Sequence, residues 1–132
     1  MKVNIVFPVL DEERRLEKGI HTTEAFLAKR RDIDAVITIV DNGSTDRTPD
    51  IIKELADVYS NIEYIRLSER GFGLAFREAV KRNRCDIIGY VDVDLSTDIH
   101  YLSKVMKAFE KYDVILAPAA PYTAPKIGES LK

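Results

Sequence analysis

Residues 35–40 read AVITIV, a continuous β-branched run. A strand with one face in water alternates polar and apolar positions, whereas a run of this kind suits a strand covered on both faces. Such a strand belongs inside a sheet with layers above and below it, and the rest of the chain supplies those layers. Val3–Phe7 (VNIVF) reads as a first strand, stopped by Pro8. Ile62–Leu67 is a third, less continuously apolar and therefore expected at an edge. Asp86–Val91 (DIIGYV) is a fourth, and Val114–Ala117 a candidate fifth.

Helical spacing fills the intervals. Residues 12–29 place Leu16, Ile20, Thr23 and Leu27 at steps of four, three and four, one buried stripe of a helix. A second helix starts at Asp46 or Thr48 as N-cap, with Pro49 in its first turn and Ile51, Leu55 and Val58 inside. Gly71–Arg84 forms a third, burying Phe72, Ala75 or Phe76, and Ala79. Asp98–Lys111 forms a fourth with Ile99, Leu102, Met106 and Phe109 on one side. Regular alternation of strand and helix implies an α/β fold with a mainly parallel sheet and right-handed crossovers. The expected core order is 3-2-1-4, with helices on both faces. Residues 1–117 read as one domain. Residues 118–132 hold three of the five prolines and read as an extended tail.

Composition narrows the class. A length of 132 residues fits one domain, and 45% hydrophobic residues exclude general disorder. Twenty basic against 22 acidic side chains, net charge -2, argue against a nucleic-acid binder. No apolar run approaches the ~18 residues that span a bilayer. The start, MKVNIVFPVLDEE, turns acidic too early for a signal peptide, so the expected location is the cytoplasm or the cytoplasmic face of a membrane. A lone cysteine, Cys85, excludes an intramolecular disulfide and a cysteine-built zinc site.

In an open parallel sheet, ligands bind beyond the carboxyl ends of the strands. Polar clusters follow all four strands here: Pro8-Val-Leu-Asp-Glu, Asp41-Asn-Gly-Ser-Thr-Asp, Glu69-Arg-Gly-Phe-Gly and Asp92-Val-Asp-Leu-Ser. In extended chain Asp92 and Asp94 point to one side, and two close carboxylates call for a cation or donor groups. Hard oxygen ligands suit Mg²⁺ or Mn²⁺, which commonly also hold substrate phosphates. The alternative is a pair of solvated acids opening the loop before an Asp98-capped helix. Asp41 either accepts N–H bonds from a nucleobase or closes its own turn onto Gly43 or Ser44. Glu12 either reaches the same base or ribose or sits favourably in a first helical turn. Gly71-Phe-Gly73 is a fragment of a dinucleotide fingerprint, but Phe76 stands at the third glycine position. Its glycines still let backbone approach a ligand, and Arg70 adds a cation for a phosphate. Arg77, Lys81 and Arg84 read as a solvated face, and His21 and His100 as surface or packing residues.

Together these segments resemble the family 2 glycosyltransferases with the GT-A fold, over residues 2–117 in motif order. VNIVFPVLDEE is similar to that family's opening strand and P-x-x-N-E-E turn, with Asp11 where asparagine is usual. IVDNGSTDRT, RGFGLAFREA and VDVDLS are similar to its later signatures, the last to its D-x-D strand end. The resemblance implies a three-layer α/β/α nucleotide-diphospho-sugar transferase-like fold and inverting transfer of a sugar from a UDP- or GDP-linked donor. It carries base and ribose binding onto Pro8, Glu12, Asp41 and Asp92, and the metal mainly onto Asp94. DVDLS resembles the enzymes that load glucose or mannose onto dolichyl or other polyprenyl phosphates, which implies such an acceptor, or a glycan. In the family the catalytic base and acceptor site follow the D-x-D, and 38 residues follow Asp94 here. The chain therefore reads as a nucleotide-binding half. A sugar-nucleotide pyrophosphorylase would want a glycine-rich loop with Arg or Lys after the first strand, unlike Pro8-Val-Leu-Asp-Glu. A non-catalytic nucleotide-sugar binding module is the other alternative.

Overall fold

A computed structural model of the chain describes residues 2–94, 98–109 and 111. The chain divides into two compact units, Met1–Leu95 and Ser96–Lys132. The first alternates β1 (Lys2–Val9), α1 (Leu16–Ala28), β2 (Asp34–Asp41), α2 (Thr48–Val58), β3 (Ile62–Arg66), α3 (Phe72–Arg82) and β4 (Ile87–Tyr90). Every strand pair is parallel, in the order β3-β2-β1-β4. Hydrophobicity explains the order. Ile5, Val6 and Phe7 of β1 and Ile37, Ile39 and Val40 of β2 are fully enclosed, while β3 exposes Glu63 and Arg66 and takes an edge.

Side chains alternate across the sheet, so each strand feeds two cores. On one face α3 lies against β1 and β2 and seats Ala75 and Ala79 on Val6, Val40 and Ile65. Ala75 is the enclosed member of the Ala75/Phe76 alternative, and Phe76 is half-buried at the margin. The opposite face carries Val3, Ile5, Phe7, Ile37 and Ile39 under α1 and α2, which touch each other. Leu16, Ile20, Thr23 and Leu27 are buried, as their spacing predicts, and the Thr23 hydroxyl donates to Gly19 O at 2.9 Å. The result is three layers, α/β/α. The α3 face also buries a polar chain: Thr38 Oγ1 donates to Asn4 Oδ1 at 2.8 Å, and Asn4 Nδ2 donates to Asn83 Oδ1 at 3.1 Å.

Several boundaries depart from expectation. β1 continues through Pro8 to Val9. Val6 O accepts from Val91 on the β4 side and Val9 O accepts from Asn42 on the β2 side. Alternation then turns the Pro8 nitrogen toward β4, whose pairing ends at Val6, so the missing N–H breaks no ladder bond. Residues 12–15 form a turn before α1, with the Arg15 and Leu16 N–H groups both donating to Glu12 O. Val58 is 68% exposed, and Ile52 takes the inner position on α2. β4 is shorter than residues 86–91.

In the second unit, α4 (Tyr101–Ala108) follows a turn in which Asp98 Oδ1 accepts the His100 N–H at 3.0 Å. Residues 114–117 and the 118–132 tail lie outside the described residues. Among the described residues no helix is long and apolar enough to cross a membrane.

Candidate functional site

Because Val9 and Asp41 are register partners, the loops after β1 and β2 leave the sheet side by side. They exchange hydrogen bonds in both directions. The N–H groups of Asp11, Glu12 and Glu13 donate to Ser44 Oγ (2.9 Å), Thr48 Oγ1 (2.9 Å) and Asp46 Oδ2 (3.3 Å). In return, Asp11 Oδ1 accepts the N–H of Thr45 at 2.8 Å, and Glu13 Oε2 accepts that of Arg47 at 3.1 Å. Asp11 adopts φ +50°, a left-handed conformation that Asp and Asn tolerate better than most residues. Asp46 Oδ1 accepts the Thr48 N–H at 2.8 Å at the start of α2. Desolvation pushes the Asp46 carboxyl up, but bonds from Thr48 and Glu13 outweigh it and hold the group below its ordinary value.

Asp41 closes β2 with its side chain wholly buried. Oδ1 accepts the Ser44 N–H at 2.8 Å, one of the two turn closures expected. Oδ2 lies 3.4 Å from both Tyr64 Oη and Arg66 Nη1, and Arg66 Nη2 lies 3.5 Å from Ser44 O. Arg66, itself half-exposed, thus covers the carboxylate. The next loop joins from the side. Gly43 has φ +90°, a Cβ there would stand 3.6 Å from Arg70 Cγ, and the Gly71 N–H donates to Asn42 Oδ1 at 3.0 Å. Exposed Arg70 therefore sits against the Asp41 turn.

Asp92 and Asp94 lie past the end of β4, and the turn at Val93 and Asp94, rather than extended chain, positions them. Burial raises the Asp92 carboxyl above its ordinary value, and the neighbouring Asp94 charge raises it further. Arg15 links this pair to the first loop, with Nε on Glu12 Oε2 at 2.9 Å and Nη1 at 3.9 Å from Asp94 Oδ2. Two hard carboxylates in mutual repulsion fit a divalent cation whose remaining ligands are phosphate oxygens and water. Among the described residues no cluster of three or more His, Cys, Asp or Glu is assembled for a metal, so the fit is to a pair and not a cage.

The strand ends thus bring together Pro8, Glu12, Asp41, Arg70, Asp92 and Asp94, half-buried Pro8 at the close of β1. His21 instead meets Tyr59 Oη at 2.5 Å and Glu17 at 3.5 Å, and His100 meets Asp98. Lys81 pairs with Glu78 on an exposed helix face. A cavity of about 280 Å³ walled by Glu24, Ile33 and Asn61 lies at the amino ends of the strands, away from this site. Sequence reasoning missed Arg15, Tyr64 and Arg66. Arg15 carried a signal, being three residues from Glu12 on one helical face. Tyr64 and Arg66 carried none, because their link to Asp41 is strand register.

A parallel 3-2-1-4 sheet in three layers is the fold of the GT-A glycosyltransferases. A mannosyltransferase from Pyrobaculum calidifontis, solved with GDP-Man and Mn2+, superposes with a TM-score of 0.62 at 23% identity, covering 70% of this chain and 27% of that one. TarS of S. aureus, solved with UDP-GlcNAc, superposes with a TM-score of 0.65 at 20% identity, covering 84% and 32%. The chain belongs to glycosyl transferase family 2, whose model matches residues 4–129. A dolichyl-phosphate beta-glucosyltransferase of Trichomonas vaginalis is 33% identical over 102 residues, 74% of this chain and 31% of the relative. The glycosyltransferase AglD of Haloferax volcanii is 31% identical over 109 residues, 81% and 18%. The chain spans about a third or less of the length of each of these proteins.

Proposed function

We propose that this chain is the donor-binding part of a metal-dependent, inverting glycosyltransferase that uses a UDP- or GDP-linked sugar. The observation that carries the reading is the strained pair Asp92 and Asp94 at the same strand edge as the Asp41 turn. The names and contents of the relatives support it: dolichyl-phosphate transfer in one, GDP-Man with Mn2+ in another, UDP-GlcNAc in a third. A polyprenyl phosphate is the favoured acceptor class and a glycan the other, at the cytoplasmic side of a membrane.

In this reading the nucleoside sits over the loops after β1 and β2. Pro8 and Glu12 border the base and ribose, Asp41 meets the base, and Arg70 neutralises part of the diphosphate. Asp94, supported by Asp92, would hold Mg²⁺ or Mn²⁺, which when bound offsets charge building on the leaving diphosphate. Attack by the acceptor from the side opposite that diphosphate inverts the anomeric carbon. Arg15, tied to Glu12 and close to Asp94, keeps the base side and the metal side in fixed relation. Calorimetric titration with UDP- and GDP-sugars in Mn²⁺ and in EDTA tests the reading. Binding that strengthens with metal is expected, and equal binding in both buffers would refute the metal site.

A further inference from the structure

We infer that Arg15 and the divalent cation compete for Asp94, so that Arg15 supports nucleotide binding without metal and opposes the binding of the metal itself; the inference rests on the donor-binding reading above. The guanidinium is aimed at its place. Nε donates to Glu12 Oε2 at 2.9 Å and Nη2 to Glu12 Oε1 at 3.3 Å, a fork that engages both carboxylate oxygens. Nη1 remains outside the fork and lies 3.9 Å from Asp94 Oδ2. The backbone fixes this approach. Arg15 immediately precedes α1, and its carbonyl accepts the Gly19 N–H at 3.0 Å. Gly19, one turn further along the same helix face, bears on Val93 between the two aspartates. The face of α1 that meets the loop after β4 therefore carries Arg15 to Asp94.

A guanidinium in that position does for Asp94 part of what a metal does, offsetting negative charge beside a diphosphate. It does so weakly, because the Arg15 side chain is 58% exposed and solvent screens the pair. A divalent ion held at about 2.1 Å from Oδ2 would stand within about 6 Å of Nη1, and like charges so close repel. Nη1 then yields Asp94 to the ion, while the fork on Glu12 keeps the guanidinium at the margin of the site. Removing the Arg15 charge therefore acts in opposite directions on two equilibria. Metal binding tightens, because a competing cation is gone. Metal-free nucleotide binding weakens, because the carboxylates face the diphosphate with one positive charge fewer. A side chain that only braced the loops would weaken both when removed.

The test is Arg15→Met in the 132-residue chain, checked for folding by circular dichroism. Binding of Mn²⁺ alone is followed by the electron paramagnetic resonance signal of the free ion, and binding of UDP and GDP in EDTA and in Mn²⁺ by calorimetry. Arg15→Met is expected to bind Mn²⁺ about two- to fivefold more tightly than the parent, the scale of one exposed ion pair. In EDTA it should bind the better nucleotide more weakly by a similar factor. Arg15→Gln should show the same two shifts and decides the question if the methionine variant does not fold. Arg14→Met makes the same change in net charge at the neighbouring exposed position and should leave both affinities at the parent values. Weakening of both equilibria, change in neither, or equal shifts in Arg14→Met overturns the inference and leaves the donor-binding reading standing. A parent that takes up no Mn²⁺ alone, or no nucleotide in EDTA, overturns it as well. Equal nucleotide affinity of the parent in Mn²⁺ and in EDTA overturns the metal site and this inference with it.

Discussion

Gly19 and Val93 meet with no room between them. A Cβ on Gly19 would overlap the Val93 carbonyl oxygen and lie 2.9 Å from Val93 Cγ2. Helix α1 therefore bears directly on the residue between Asp92 and Asp94, and the close approach requires glycine.

Gly19→Ala is thus expected to destabilise the chain despite alanine's advantage of ~1 kcal/mol inside a helix. Overpacking against backbone costs about 1–3 kcal/mol, because a carbonyl cannot move aside as a flexible side-chain tip can. Urea denaturation measures the net loss. The same variant should lower metal-assisted nucleotide binding more than metal-free binding, since the displaced element carries the two aspartates. Parent-like stability and parent-like metal response would disprove the contact's importance.

Asp11 is expected to tolerate asparagine but not alanine. Alanine removes the acceptor for the Thr45 and Asp46 N–H groups and adds strain at φ +50°. Together these should cost about 1–3 kcal/mol. Asparagine keeps the side-chain carbonyl and the conformational tolerance, so most of that stability should return. Denaturation curves of the two variants that coincide would show that the loop brace contributes nothing.

Asp94→Asn should abolish the strengthening of nucleotide binding by Mn²⁺, a loss of at least about tenfold, and leave most metal-free affinity intact. Titrations in Mn²⁺ and EDTA separate the two parts. If Asp94 were only a solvated acid, the variant would behave as the parent does.

The raised Asp92 carboxyl gives a pH signature with a definite sign. The ordinary aspartate value is 3.8, and the folded value lies above it. Below both values the group is protonated in folded and unfolded chains and has no effect. As pH climbs between them the unfolded chain loses its proton first, so the Asp92 contribution to stability falls with rising pH. Asp92→Asn should flatten that part of the stability curve and leave the chain at least as stable at neutral pH, while weakening metal-assisted binding. Metal-assisted binding in the parent should weaken as pH falls through the raised value, where protonation competes with the cation. Reduced stability of Asp92→Asn at pH 7 would contradict the assignment of burial and repulsion as the cause.

Much of the fold was legible because hydrophobic pattern reports burial directly. The AVITIV run identified β2 as a strand enclosed on both faces, and the polar character of Ile62–Leu67 put β3 at an edge. The Leu16, Ile20, Thr23 and Leu27 stripe on α1 was readable for the same reason. Errors fell where burial depends on neighbours. Val58 satisfies the helical period of α2 yet faces water, because Ile51, Ile52 and Leu55 already fill the space under that helix. Pro8 carries the sign of a strand end, yet the short β4 leaves its nitrogen with no ladder partner to lose.

The amino-acid sequence by itself determined which chemistry stands after each strand: carboxylates after β1, β2 and β4, and an arginine ahead of two glycines after β3. Side-chain type and its distance from a strand end are local properties, and the parallel topology sends all those ends to one edge. Only the tertiary structure decided how the carboxylates are used. Asp41 acquires its partners because Ser44, three residues on, folds back onto Oδ1, and because register sets Tyr64 and Arg66 beside Oδ2. Asp92 acquires its raised proton affinity from burial at a turn whose position α1 fixes through Gly19. Hydrogen-bond partners and desolvation are set by distances between segments remote in the chain, and no local pattern of residues encodes them.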